Sequence, residues 1–205
     1  MKTICYLDMD DVLADFNGQA LKYIQYDCQQ IKNKSFAELT ETEQAIQKRL
    51  FFICDYDNTF WQTMPIRAGA VDLYRFCRKQ FDEVVLLSKF VPPSCHPHRF
   101  RAVSFLKLKW AHHFLSDDYH LPKVIIIDNV KSLLLQNRKD TCQILVDDMT
   151  RNISDWEEKG GIGVLYQDNE QVLNALKKIK IQIPSMIVRN GACYPKLKGF
   201  SHDKE

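Results

Sequence analysis

Apolar positions along this chain fall into two rhythms that alternate. Five short runs are rich in β-branched and other apolar residues: Thr3 to Leu7, Glu83 to Ser88, Lys123 to Asp128, Gln143 to Asp147 and Gly163 to Tyr166. None of them alternates apolar with polar, which predicts strands covered on both faces, as in a parallel sheet. Between them the period lengthens to that of a helix. Phe16, Ala20 and Ile24 fall four apart; Val71, Tyr74 and Phe76-Cys77 line a stripe after the turn at Gly69. Ser104 to Phe114 and Asn169 to Ile179 repeat the pattern, the latter through Val172, Leu173, Leu176 and Ile179. Strands alternating with amphipathic helices predict a doubly wound α/β fold, a parallel sheet flanked by helices. Several strand runs close on a polar residue: Asp8, Ser88, Asp128 and Asp147. In a parallel sheet those ends share one edge, so residues distant in sequence meet there.

One stretch interrupts the alternation. Residues 17–63 hold two capping-box patterns, Ser35-Phe36-Ala37-Glu38 and Thr40-Glu41-Thr42-Glu43, each a helix start. Polar helical sequence follows, then the aromatics Phe51, Phe52, Tyr56, Phe60 and Trp61. This predicts a small helical insertion after the first strand. The expected organisation is a core of residues 1–16 and 64–181, a helical cap over 17–63, and a C-terminal tail over 182–205 without a clear period. No internal repeat is visible.

Composition narrows the class. The chain has 205 residues and a formal net charge of +2, enough for one substantial core and too balanced to announce a nucleic-acid or membrane partner. The densest basic run, His96 to Arg101, lies among prolines and reads as a loop. No apolar stretch approaches the ~18 residues of a spanning helix, and Met-Lys-Thr leads straight into a strand, so no signal peptide is expected. Seven cysteines stand singly with no Cys-x-x-Cys, which suits a reducing, cytoplasmic setting. Cys95-His96-Pro97-His98 matches no known zinc spacing and reads as part of the same loop.

Candidate chemistry centres on Asp8 and Asp10. Two carboxylates just beyond a buried strand repel each other, and burial raises the cost. A bound divalent cation offsets that most simply, because carboxylate oxygens are the hard ligands Mg²⁺ prefers. Phosphate-ester hydrolysis by a carboxylate nucleophile needs four parts. Asp8 suits the nucleophile and Asp10 the acid/base. Ser88, ending the second strand, suits a phosphate-binding hydroxyl. Lys131, after the third, suits a phosphate-binding cation, and Asp147-Asp148, ending the fourth, suits the metal. Each residue alone has a plainer use. The Asp pair could close a turn, Ser88 could cap a helix, and Lys131 could be solvated. Phe16, Phe60 and Trp61 could be core, and Asp15 could be no more than the start of a helix.

The ordered set Asp8-Met9-Asp10-Asp11-Val12, Leu86-Leu87-Ser88, Lys131 and Val146-Asp147-Asp148-Met149 resembles the four motifs of the haloacid-dehalogenase-like (HAD) hydrolase superfamily. The finer resemblance is to its 5′(3′)-deoxyribonucleotidase branch. It is carried by Asp8 through Phe16, by Phe60-Trp61 before Pro65-Ile66-Arg67-Ala68-Gly69-Ala70, by Lys107-Leu108-Lys109-Trp110, and by Asn152 with Trp156. The resemblance covers roughly residues 1–180. It implies a HAD-like Rossmannoid core and a Mg²⁺-dependent phosphomonoesterase acting on deoxyribonucleoside 5′- or 3′-monophosphates through an aspartyl-phosphate. Asp8 would also ligate Mg²⁺, Asp10 would do so through its backbone carbonyl, Asp148 directly and Asp147 through water. Phe16, Phe60 and Trp61 would line the nucleoside pocket, with Lys89 among the substrate contacts. Three departures stand out, one of them the stretch from Phe90 to Arg101, which differs in length and composition and is expected to border the substrate. Asp11 replaces a common glycine, and Ser88-Lys89 stands where Thr-Ser is frequent. Substrate identity therefore stays open to another small phosphate, such as a sugar phosphate or phosphoglycolate. A non-catalytic binding protein on the same fold is the rival from a different class. Oligomeric state, including a homodimer, is also open.

Overall fold

The computed structural model describes residues 1–90, 97–137, 141–183, 186–189 and 192–195. Five strands form one parallel sheet: β1 (Lys2–Leu7), β2 (Glu83–Lys89), β3 (Lys123–Ile127), β4 (Thr141–Asp147) and β5 (Ile162–Leu165). Their order is β3-β2-β1-β4-β5. Strand order reverses at β1, which pairs with β2 on one side and β4 on the other. Open α/β sheets bind ligands outside the carboxyl ends of the strands at such a reversal.

Both faces of the sheet are covered, as the unbroken apolar runs require. Ile4 and Tyr6 of β1, Val85 and Leu87 of β2 and Leu145 of β4 pack on one face with Ile153 and Trp156. The last two belong to α6 (Thr150–Glu158). Cys5 and Leu7, Leu86, and Ile144 and Val146 point to the other face. There they meet residues of α4 (Ala70–Gln80), α5 (Pro97–Leu115) and α7 (Asn169–Gln182). Strand parity alone thus sorts one continuous run into two cores.

The segment after β1 is helical, as expected from its capping boxes. It contains α1 (Phe16–Ile24), α2 (Glu41–Tyr56), α3 (Asn58–Gln62) and 3₁₀ turns at Cys28–Gln30 and Phe36–Glu38. Both boxes form: the Glu38 carboxylate accepts from Ser35 N at 2.6 Å, and the Glu43 carboxylate from Thr40 N at 2.8 Å. The aromatic cluster divides. Phe60 and Trp61 are buried, whereas Phe51, Phe52 and Tyr56 are exposed on α2. Among the described residues no helix is long and apolar enough to cross a membrane.

Two expectations need correction. Pro97 to Arg101 is not loop but the first turn of α5. Proline suits a first helical position, where its missing N–H costs nothing. The rest of that expected loop, with Cys95 and His96, lies outside the described residues. The tail is not patternless either. Met186–Arg189 (β6) and Ala192–Pro195 (β7) pair antiparallel, Ile187 opposite Tyr194. The Asn190-Gly191 dipeptide between them in the sequence is a common hairpin signal that a search for longer periods passes over.

Trp156 closes the smaller core. It is fully buried, its ring lies 5.1 Å from that of Tyr6, and its Nε1 donates to the Gln143 carbonyl at 3.4 Å. Replacing Trp156 with Ala should cost about 3–5 kcal/mol in urea denaturation, by loss of burial and a residual cavity. Trp156→Phe should cost clearly less.

Candidate active site

The site begins where β1 ends. Asp8 N donates to the Val146 carbonyl at 2.9 Å, carrying the β1–β4 ladder one residue beyond the strand. The chain then folds back on itself. Leu13 N and Ala14 N both donate to the Met9 carbonyl, at 3.0 and 2.8 Å, and Asp11 N donates to Ala14 O at 2.8 Å. Met9, Val12 and Leu13 are buried and fix this turn in the core. Asp11 sits at φ 60°, the left-handed region. Glycine alone enters that region without steric cost. Aspartate is one of the few side chains that tolerates it, through local hydrogen bonds. Here Asp11 accepts from Asn17 N at 2.8 Å and Gln29 Nε2 at 3.1 Å, with Arg67 Nη1 at 3.6 Å.

Asp8, Asp147 and Lys131 form one buried group. Lys131 Nζ lies 2.7 Å from Asp8 Oδ1 and 2.6 Å from Asp147 Oδ2. Asp8 Oδ1 also accepts from Met9 N at 2.8 Å. Asn152 Nδ2 reaches both oxygens of Asp147 at 3.0 Å, and Met149 N donates to Oδ1 at 2.9 Å. Asp148, the next residue, is held by Lys32 at 2.8 Å. Asp8, Asp147 and Asp148 each present a carboxylate oxygen within 4.8 Å of the others. Burial pushes the Asp8 carboxyl well above the ordinary range; Lys131 opposes this, while Asp147, Asp10 and Asp148 add to it. Asp148 is raised by burial too, against the pull of Lys32. Burial also works against the Lys131 ammonium, but Asp8 and Asp147 outweigh it and hold its pKa above that of a free lysine.

Asp10 faces a second group. Its Oδ2 pairs with Lys107 Nζ and lies 3.4 Å from Ser88 Oγ, while Lys107 Nζ donates to Ser88 Oγ at 2.8 Å. The Lys107 ammonium also lies 4.4 Å from the centroid of the Trp61 ring, a cation–π distance. Ser88 lies in β2 one residue before its end, and Lys107 comes from α5. The Asp10 carboxylate is thus apart from the acidic trio; its expected metal contact was through the backbone carbonyl.

The structure therefore brings Asp8, Lys131, Asp147 and Asp148 together, and Asp10 with Ser88. Of the expected substrate contacts, Trp61 borders the site through Lys107. Phe16 is half-buried and edge-on to Phe60 at 5.4 Å. Phe60 has no exposed surface, packed between Phe16, Tyr23 and Trp61, so in this conformation it offers a ligand nothing. Lys89 is exposed at the end of β2. Asp15 caps α1, accepting from Gly18 N at 3.2 Å. Lys107 and Lys32 were missed as site residues. Lys107 stood within the quoted Lys-x-x-Trp pattern, which was its only signal; Lys32 had none.

The donor set fits a hard divalent cation. Among the described residues, the three carboxylates of Asp8, Asp147 and Asp148 converge here with two ammonium groups, Lys131 and Lys32, against them. The imbalance is acidic, the three convergent carboxylates are buried, and oxygen ligands of this kind suit Mg²⁺.

No protein-family model matches the sequence, and a search of curated proteins returns no match. Solved structures do show likeness. A phosphoserine phosphatase from T. onnurineus aligns over 86% of this chain and 95% of its own, at 16% identity and a TM-score of 0.49. A haloacid dehalogenase-like family hydrolase from Xanthomonas campestris aligns over 89% and 94%, at 12% identity and TM-score 0.45. A HAD family enzyme from Bacteroides thetaiotaomicron, in complex with magnesium and inorganic phosphate, aligns over 82% and 95%, at 13% and 0.43. Likenesses this distant carry no chemistry; that rests on the side chains of this chain.

Asp11 gives a pH-dependent signature. Burial raises its carboxyl to about 6; Asn17 N–H and Lys32 pull it down, and Asp148 and Asp10 push it up. The unfolded chain releases this proton near the ordinary value of 3.8. Stability from this group is therefore full below about pH 4, falls as pH rises towards 6, and is lost above that. At about 1.4 kcal/mol per pH unit the loss approaches about 3 kcal/mol. Asn tolerates the left-handed conformation, keeps the acceptor for Asn17 N–H, and bears no charge. Asp11→Asn should therefore be stabilised relative to the parent at pH 7.5 but not at pH 4, read from thermal melts in EDTA.

Proposed function

We propose that this chain is a Mg²⁺-dependent phosphomonoesterase of the HAD type that works through an aspartyl-phosphate on Asp8, with deoxyribonucleoside monophosphates as substrates. One observation carries the reading. The two carboxylates of the Asp-x-Asp pair, two residues apart, sit in different electrostatic company: Asp8 with Lys131, Asp147 and Asp148, Asp10 with Lys107 and Ser88. A nucleophile and an acid/base need that division, because one must attack phosphorus while the other exchanges a proton with the leaving group.

The chain's own groups would divide the work as follows. Lys131 and Met9 N–H hold Asp8 through Oδ1 and orient its other oxygen for in-line attack on phosphorus. The P–O bond to the leaving group breaks as the Asp8–phosphorus bond forms, and Asp10 delivers a proton to the departing oxygen. Asp10 then takes a proton from water as that water displaces the Asp8 carboxylate. Ser88 and Lys131 would bind phosphoryl oxygens, with Lys107 beside Ser88 as a second cation. Asp8, Asp147 and Asp148 would hold Mg²⁺, whose positive charge would offset the negative charge of the phosphoryl oxygens. Residues 17–63 would act as a cap that excludes water from the intermediate. The complement of carboxylates, hydroxyl and lysines weighs against a non-catalytic binding protein.

A second reading keeps the chemistry but shrinks the substrate. Phe60 is fully buried and Trp61 nearly so, with Lys107 against its ring. Of the three expected aromatics only Phe16 keeps surface for stacking a base, which favours a small sugar phosphate.

Asp8→Asn should lower turnover of an aryl phosphate by about 10⁴-fold or more while leaving the circular dichroism spectrum unchanged. Full activity in that variant would refute the nucleophile assignment. EDTA should silence the parent enzyme and Mg²⁺ restore it. Phosphate release from dUMP, dTMP, UMP and simple sugar phosphates separates the two readings: nucleotide rates that depend on the base support a nucleoside pocket, and faster sugar-phosphate turnover supports the smaller substrate.

A further inference from the structure

Residues 27–33 form a short strap between α1 and α2 that reaches the acidic trio. Asp27 accepts from Asn17 Nδ2 at 2.9 Å, and Gln29 donates to Asp11 at 3.1 Å. Lys32 Nζ lies 2.8 Å from Asp148 Oδ2, and Asn33 Oδ1 accepts from Thr150 Oγ1 at 3.1 Å. Cys28 and Ile31 are buried and anchor the backbone. The strap therefore has a fixed apolar footing and polar side chains laid across the carboxylates.

We propose that Lys32 is a displaceable counter-cation: it holds Asp148 when the trio is free of metal, and a divalent ion entering the trio must drive it off. The inference rests on the metal reading given above. Lys32 and Lys131 differ in the features that decide which one can leave. Lys131 bridges two carboxylates and its side chain is 2% exposed. Lys32 holds one carboxylate and its side chain is 22% exposed, so it has a path to solvent. Its flexible stem and compact charge let it swing away without moving the backbone. Charge balance points the same way. Counted by formal charge, the three carboxylates of the trio face two ammonium groups with Lys32 in place, and a divalent ion added to that set leaves it one charge positive. With Lys32 withdrawn, the same ion leaves it neutral. An ammonium near a ligand carboxylate also repels the incoming ion directly. Lys32 would thus set the metal concentration at which the site fills, and once released it would stand at the mouth of the site as a free cation.

Calorimetric titration of Mg²⁺ in phosphate-free buffer tests this apart from turnover. Binding by the parent protein tests the metal reading itself. Lys32→Met should bind Mg²⁺ about ten-fold more tightly, the worth of one charge-assisted hydrogen bond. Lys32→Arg, which keeps the cation, should stay close to the parent and controls for folding. Acetylation mapped by mass spectrometry supplies the second readout. Lys32 should be protected without metal and become reactive with Mg²⁺, while exposed Lys22 on α1 stays reactive throughout. A parent that binds Mg²⁺ beside a Lys32→Met variant of equal or weaker affinity would overturn the inference and leave the metal reading intact. Unchanged Lys32 labelling on adding Mg²⁺ would overturn it as well. A parent that binds no Mg²⁺ would overturn both.

Discussion

Lys131 shared between Asp8 and Asp147 is the contact on which the sheet edge depends. The register of β1 with β4 sets Leu7 beside Val146, so the next residue of each strand, both aspartates, must be neighbours. Neither can turn to water, since Asp147 is fully buried and Asp8 nearly so. Two adjacent buried carboxylates without a cation would each carry a desolvation cost of several kcal/mol. The ammonium that offsets it comes from the turn after β3, on the far side of β2 in the sheet. The site is therefore a product of strand order: β3 must be placed where the chain beyond it can return over β2 to the β1–β4 junction. A shift of one residue in β1 would move Asp8 away from both partners and exchange the apolar sets of the two faces.

The Asp-x-Asp spacing gains its meaning from the turn that follows the strand. Asp8 continues the parity of Ile4 and Tyr6, towards the core that Trp156 closes, and there it meets Lys131 and Asp147. Asp10 is carried by the fold-back at Met9 towards Ser88 and the α5 lysine. A longer spacing would lose the shared crevice. A shorter one would place both acids with one cation. Asp11 is the residue that the fold-back forces into the left-handed region, and its carboxylate answers by tying α1 and the strap to the same loop.

Most of this was legible where chemistry coincides with the end of a periodic run. Asp8, Ser88 and Asp147 each close or nearly close an apolar strand, and Lys131 follows one at short distance, so strand order alone assembled them. The capping boxes at Ser35 and Thr40 were legible because they are local. Lys107 was not read as a site residue because a lysine within a helix is ordinarily solvated, and nothing in Leu106-Lys107-Leu108-Lys109 distinguishes the buried lysine from the exposed one. Lys32 was invisible for a different reason. Its partner lies 116 residues away, in a polar stretch whose path no periodicity predicts. The start of α5 was misread because proline-rich composition suggests a loop, although proline is at home in a first helical turn.

Trp61 shows how an aromatic residue beside an active site can serve electrostatics before recognition. Its Nε1 is committed to the Cys54 carbonyl at 2.8 Å, its edge packs on Phe60 and Phe90, and its ring faces the Lys107 ammonium. Lys107, 2% exposed, meets one carboxylate, that of Asp10, and the aromatic face adds attraction without adding negative charge to a site already rich in carboxylates. Held there, Lys107 bonds both Asp10 and Ser88 and fixes their positions. The aromatic pair Phe60-Trp61 then has a role in packing and in holding Lys107 that needs no ligand. Discrimination among substrates would fall to less buried groups around the opening, Phe16 and the strap among them, which have surface to offer.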